Sequence, residues 1–171
     1  QRAPNQQGPY SPSAISGASM LGEQQWQWLE QELAKPADVK IIASSIQVLS
    51  EFSGWEAWHN FPADQQRLFD LIEQYDLDNL FFISGDIHWS EAMQRTEKGR
   101  TLVEVTSSGM TEEWKDISPN IHRTSDAFAQ ANFGMITIDW EQSPLVIDIT
   151  IVDQNRETLI HQVLPISQKN K

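Results

Sequence analysis

The stretch Leu80-Phe81-Phe82-Ile83-Ser84-Gly85-Asp86-Ile87-His88 limits the possible folds more than any other part of the chain. A short run of large apolar residues bounded by turn residues reads as a strand buried on both faces, the usual state of a strand in a parallel sheet covered by helices. Immediately past its end stand a carboxylate and an imidazole, Asp86 and His88. Open α/β sheets carry their chemistry there, outside the carboxyl ends of the strands. Two such donors form a candidate metal corner; the alternative is a turn aspartate beside a hydrogen-bonding histidine.

The segments before this stretch supply a partner strand. Val39-Lys40-Ile41-Ile42-Ala43-Ser44-Ser45 is a second apolar, β-branched run. Pro62 suits a first helical position, and Leu68, Leu71, Ile72 and Tyr75 follow at helical spacing. Strand 39–45, helix 62–75 and strand 80–84 make a βαβ unit with parallel strands, both expected to be apolar on both faces. Parallel pairing brings Ser44, Ser45 and Gln47 to the rim that holds Gly85, Asp86 and His88. The connection 50–61, rich in aromatics, leaves from the same rim and is placed to wall a pocket.

Upstream, residues 1–20 are rich in Pro, Gly and Ser and read as a loop or tail. Leu21, Trp26, Leu29 and Leu33 then mark one face of a helix whose tryptophans are expected to pack. Downstream, Ser90–Thr96 and Thr101–Thr106 flank a turn of hairpin length, Glu97-Lys98-Gly99-Arg100. The hairpin returns to the rim with Ser107-Ser108-Gly109. A serine nucleophile there lacks the Gly-x-Ser-x-Gly elbow, so these hydroxyls read as hydrogen-bonding support or turn chemistry. His122 reads as part of a surface loop. The β-rich runs 134–140, 145–152 and 158–165 form an antiparallel meander, with Asp148 and His161 as solvated side chains. The chain reads as an α/β fold, a βαβ unit plus a hairpin and C-terminal antiparallel strands.

Charge narrows the function classes. Among 171 residues, 24 acidic and 12 basic side chains leave a net charge of −12, which argues against a nucleic-acid-binding surface and against docking on anionic membrane. An anionic substrate needs a local positive centre, and with the basic residues scattered, a bound cation is the simplest source. Zero cysteines exclude disulfides and thiolate metal sites. No apolar run approaches the roughly 20 residues of a membrane span, and localisation stays undecided on the residues alone.

Four landmarks in order, Met20–Leu29, Ile41–Val48, Ser84–His88 and Glu104–Thr111, resemble the alkaline phosphatase D (PhoD-like) phosphatases. The resemblance implies the calcineurin-like metallophosphoesterase sandwich, hydrolysis of phosphomonoesters or phosphodiesters, and a periplasmic or secreted setting. It gives Asp86 and His88 the metal-ligand and catalytic roles, with divalent or trivalent ions as cofactors; iron, calcium, manganese and zinc all suit such donors. It also implies an incomplete site, because the family's earlier metal-binding motifs have no counterpart in residues 1–20. Residues 21–167 thus correspond to the C-terminal half of the catalytic domain.

The enzyme reading puts Ser45, Gln47, Asn60, Ser107 and Ser108 on the substrate, with Trp55 and Glu56 on a substrate-side loop. A second reading is a non-catalytic structural or interaction fragment that needs a partner half. A third, a carbohydrate-binding β-domain, fits the seven tryptophans but not the βαβ pattern. Removal of an N-terminal half would leave a strand edge and an apolar face open, so self-association or pairing with a separate half is expected.

Overall fold

Two sheets and two helices carry the structure, a computed structural model that describes residues 17–51 and 54–166. Helix α1 spans Glu23–Ala34, strand β1 Lys40–Ala43, helix α2 Pro62–Gln74 and strand β2 Leu80–Ser84. Strands β3, Glu91–Glu97, and β4, Arg100–Thr106, form the hairpin; β5, Asn132–Asp139, β6, Leu145–Asp153, and β7, Thr158–Ile166, form the meander. The first sheet has the order β1-β2-β4-β3 and the second β5-β6-β7. The expected tail lies, up to residue 16, outside the described residues.

Local chemistry explains the element ends. Pro62 opens α2 with its fixed φ, where its missing N–H has no helical partner to lose. The buried Asp64 on that helix accepts the Ser19 hydroxyl at 2.9 Å and the Met20 N–H at 2.7 Å, which ties the approach to α1 onto α2. Lys98 and Gly99 join β3 to β4 with φ of 50° and 80°; two left-handed residues in a two-residue loop match the twist of the flanking strands. Arg100 then bonds to Asp76 and Asp78 in the turn that leads into β2.

The strands sort their side chains by period two between two cores. Leu80 and Phe82 of β2, Met93 of β3 and Leu102 of β4 pack against the helices with Trp26, Leu68 and Ile72. Phe81, Ala92, Val103 and Val105 face the other way, onto Leu145, Ile147, Ile149 and Ile151 of β6. The result is a layer of helices, a mixed sheet and an antiparallel sheet, an α/β sandwich. Strands β1 and β2 pair in parallel, as do β2 and β4, while β3 runs antiparallel to β4. The ends of β1, β2 and β4 at Ala43, Ser84 and Thr106 therefore share one rim.

Three expectations need correction. Strand β2 is largely buried, but β1 is not apolar-buried on both faces: Ile41 is 41% exposed and Ala43 is exposed too. The reason is position, since β1 is an outer strand, and no described strand pairs with its second edge. Of the helix tryptophans, Trp26 is buried edge-to-face against Trp58, but Trp28 lies exposed on the opposite side of α1. Asp148 and His161 are not independently solvated; they pair across β6 and β7 at 2.8 Å. In the second sheet β5 is an outer strand too, with Phe133, Met135 and Ile136 exposed. A groove of about 340 Å³ runs between the sheets there, lined by Ala43, Ile83, Ser107, Phe133 and Ile136 among others.

Candidate metal corner at the end of β2

The turn after β2 alternates inward and outward. Ile87 and Trp89 are buried, which fixes the loop to the body and leaves Asp86 and His88 between them on the rim. Both have left-handed backbones, with φ of 74° at Asp86 and 60° at His88. Each such residue costs on the order of 1–2 kcal/mol relative to an ordinary conformation, and conformations of this kind gather at functional sites. The Ile87 N–H donates to the Gly85 carbonyl at 3.0 Å and closes the turn.

Neighbours hold the turn from both sides. The His88 N–H donates to Ser108 Oγ at 3.1 Å, and the His88 carbonyl accepts the Trp114 N–H at 3.1 Å. Burial pushes the Asp86 carboxyl above the usual carboxylate range; the negative charge of Glu56 pushes the same way, and His88 opposes both. Glu56 of the aromatic connection thus lies near enough to act on Asp86. That connection is less irregular than expected: Trp58–Asn60 form a short 3-10 helix, the Trp58 N–H donates to the Gln47 carbonyl at 2.9 Å, and Phe52 and Ser53 lie outside the described residues.

The remaining candidate residues divide into three groups. The backbone carbonyl of Ser45 and the hydroxyl of Ser108 flank Gly85, each within 4 Å of where its Cβ would stand. Asn60 holds the aromatic connection through a bond from its amide to the Trp55 carbonyl at 3.2 Å. Ser107 departs from the expected single cavity with Asp86 and His88; its hydroxyl donates to Asn132 at 3.2 Å and it lines the groove between the sheets. Gln47 does not face a substrate at all. It is 1% exposed, and its amide donates to Glu91 at 2.8 Å and to Thr106 at 3.1 Å.

Beneath the rim lies a polar layer that the sequence reading missed. Glu91 is fully buried and receives Arg123 at 2.5 Å and the amides of Gln47 and Asn120, both at 2.8 Å. Glu104 is also fully buried and accepts the backbone N–H groups of Val48 and Leu49, the latter at 2.7 Å. Burial pushes the Glu104 carboxyl up to about 7, against the lowering effect of bonds from Ser84, Val48 and Leu49, and the charge of Glu91 adds to the rise. The signal was available: Glu104 interrupts the apolar Leu102-Val103-Glu104-Val105 at a position whose period-two face is the core. His122, read as a plain surface residue, bonds to Glu51 at 3.2 Å and lies next to Arg123 in this layer's cover.

Asp86 and His88 suit a hard or borderline cation as part of a coordination sphere. They do not fill one: among the described residues, no three His, Asp or Glu side chains converge on a common point. No helix among the described residues is long and apolar enough to cross a membrane.

Comparison with known proteins follows the same outline. A family described as PhoD-like phosphatase matches residues 2–142. Alkaline phosphatase D of Bacillus subtilis (strain 168) is 28% identical over 93 residues, covering 49% of this chain and 16% of that protein. Among solved structures, "GAP50 the anchor in the inner membrane complex of Plasmodium" superposes with a TM-score of 0.66 at 16% identity over 92% of this chain and 47% of that one. "Structure of PhoD" superposes with a TM-score of 0.57 at 16% identity over 94% of this chain and 38% of that one. The chain thus covers less than half the length of each of these three proteins.

Proposed function

The chain belongs to the PhoD-like phosphatase family, and from that premise we propose that it carries part of the site of a metal-dependent phosphoester hydrolase of the calcineurin-like type, acting on phosphomonoesters or phosphodiesters. The observation that carries this reading is the pair of left-handed residues Asp86 and His88 at the carboxyl end of β2, held by Ser108 and the Trp114 N–H. Strain of that kind in two potential metal ligands one residue apart has no evident use in packing, since the buried residues of the turn are Ile87 and Trp89.

Asp86 and His88 are the residues that would hold a cation; iron, calcium, manganese and zinc are all compatible with the donors. When bound, the cation supplies positive charge that polarises the phosphoryl oxygen in a chain otherwise acidic. The chain's own groups do the rest. Ser108 fixes the His88 backbone, Ser45 brings its backbone carbonyl to the rim beside Gly85, and Asn60 steadies the connection that carries Glu56. Gln47 acts from below, through Glu91 and Thr106, and not on the ester.

Two donors fall short of the protein ligands that a zinc or calcium site uses. Two of the four outer strands, β1 and β5, and the groove between them are the corresponding gap in the fold. Residues 21–167 are accordingly read as the C-terminal half of a larger domain, whose other half adds strands at those edges and the remaining ligands. A periplasmic or secreted setting accords with the family.

The open edges also favour a second reading. Exposed apolar residues on outer strands, and a corner where no third carboxylate or imidazole converges among the described residues, suit a non-catalytic interaction module. One experiment separates the two. In the domain with both halves present, His88→Ala and Asp86→Asn should reduce bound metal and phosphate release from p-nitrophenyl phosphate at least a hundredfold while leaving the melting temperature nearly unchanged. Stoichiometric metal loss without any hydrolysis in the parent protein supports the module; equal loss of stability and activity overturns the assignment of the corner.

A further inference from the structure

Asn132 is the first residue of β5, yet its buried side chain bonds to two serines at the rim of the other sheet. Its Nδ2 donates to the Gln130 carbonyl at 2.8 Å, and because a carbonyl can only accept, that bond fixes which way the amide points. Oδ1 is left to accept two hydroxyls, Ser90 at 2.6 Å and Ser107 at 3.2 Å. The loop after β4 closes tightly on this amide. A Cβ on Gly109 would stand 2.4 Å from Nδ2, and the Asn132 N–H donates to the Gly109 carbonyl at 3.2 Å.

The Ser107 branch ends at the groove between the sheets, whereas the Ser90 branch leads to the corner. Ser90 is fully buried, and its single hydroxyl proton goes to Asn132, so its lone pairs are turned to the Ser108 N–H, which donates to Ser90 Oγ at 3.3 Å. Ser108 Oγ in turn accepts the His88 N–H at 3.1 Å. The last of these three bonds grips the backbone of a residue with φ of 60°. A left-handed conformation in a residue other than glycine persists only where its surroundings hold it.

We infer that Asn132 is a positioning residue for the metal corner: through Ser90 and Ser108 it holds the His88 backbone in the conformation that keeps this ligand on the rim. The inference rests on the reading above that His88 holds a cation. Asn132 touches neither cation nor ester, and by this route the antiparallel sheet helps to set a site carried by the mixed one. The rival role is a plain tie between the sheets, which would act on stability alone. Groups that orient a metal ligand typically change affinity by ten- to a hundredfold, and a residue acting through two intermediates belongs at the low end, about tenfold.

The test uses the domain with both halves present, in the parent form and as Asn132→Ala, Ser90→Ala and Ile147→Val. Ile147 is buried in the core farther along β6 and serves as a control for lost stability. Hydrogen exchange at the His88 amide is read in the metal-free protein by mass spectrometry with electron-transfer fragmentation, and Mn²⁺ affinity is read by calorimetry. Asn132→Ala and Ser90→Ala should each speed exchange at His88 and weaken Mn²⁺ binding by about tenfold. Ile147→Val should lower the melting temperature and leave both readings at the parent values. Ser90→Ala removes one oxygen atom only, so it decides the matter if Asn132→Ala does not fold. Exchange at His88 or Mn²⁺ affinity that stays at the parent value in Ser90→Ala overturns the inference, as does an affinity that follows melting temperature across all variants, and each of these results leaves the hydrolase reading intact. Failure of the parent domain to bind Mn²⁺ overturns the hydrolase reading and the positioning role with it.

Discussion

Glu104 makes the chain's stability depend on pH in a direction opposite to that of an ordinary carboxylate. Its side chain is fully buried, so its shift needs no discount for solvent screening, and its carboxyl is pushed from 4.5 to about 7. A raised value means that the folded protein prefers the neutral acid. The stabilisation is fully present below pH 4.5, shrinks as pH rises because the unfolded chain ionises first, and is gone once pH passes about 7. By linkage the change amounts to roughly 3 kcal/mol across that window. Glu104→Gln removes the titration but keeps the shape. The amide oxygen still accepts from Val48 or Leu49, while the amide nitrogen turns a donor towards the other, a penalty of about 1–3 kcal/mol that does not vary with pH. Urea unfolding of both proteins from pH 5 to 8.5 is the assay. The parent should be the more stable at pH 5, and the difference should move by roughly 3 kcal/mol in favour of the glutamine variant by pH 8. Parallel profiles would refute the argument, because they would place the pH dependence in some other group.

Gly109 tests the packing of the loop beside the corner: an added Cβ would stand 2.4 Å from Asn132 Nδ2 and 2.8 Å from the Gln130 carbonyl. Gly109→Ala should therefore lower stability by about 1–3 kcal/mol in thermal melts, and an unchanged melting temperature would show that Asn132 can leave its bonds to Ser90 and Ser107 at no cost. The open edges of β1 and β5 give the remaining prediction, made for the 171-residue chain by itself. It should self-associate, burying more than roughly 1,000 Å², and Ile41→Lys should weaken the association by placing a charge on the exposed edge. Light scattering over a concentration series that finds a monomer without dye-accessible apolar surface would sink it.

The elements were legible where one physical signal acted alone. Helical spacing marked the two described helices, continuous apolar runs marked β1 and β2, and β-rich runs bounded by turns marked the other described strands, with the Lys98-Gly99 turn joining the hairpin. The rim was legible too, since parallel pairing of two short apolar runs leaves little choice about which ends coincide. What the sequence hid was the fate of polar residues near the rim. Gln47 and Ser45 stand two apart in a segment that is no longer a strand, so alternation does not apply; Gln47 turns inward because the buried Glu91 needs a donor, and Ser45 stays outside. The exposure of Ile41 was hidden for a different reason. An edge strand and a central strand can share one composition, and only the presence or absence of a neighbour separates them.

The polar layer and the corner are linked through this same geometry. Glu104 holds Val48 and Leu49, Gln47 reaches Glu91 and Thr106, and the Gln47 carbonyl accepts the Trp58 N–H. The connection that bears Glu56 is thereby fixed to β4 by buried bonds, and a buried bond resists displacement more than an exposed one because its groups lose water without replacement when it breaks. The Asp86 and His88 turn is fixed separately, by Ile87, Trp89 and Ser108. Both walls of the corner are thus positioned by bonds of the chain's own residues. The conformational cost of bringing donors together has been met on this side by folding, so an incoming cation or completing segment needs to order only its own groups.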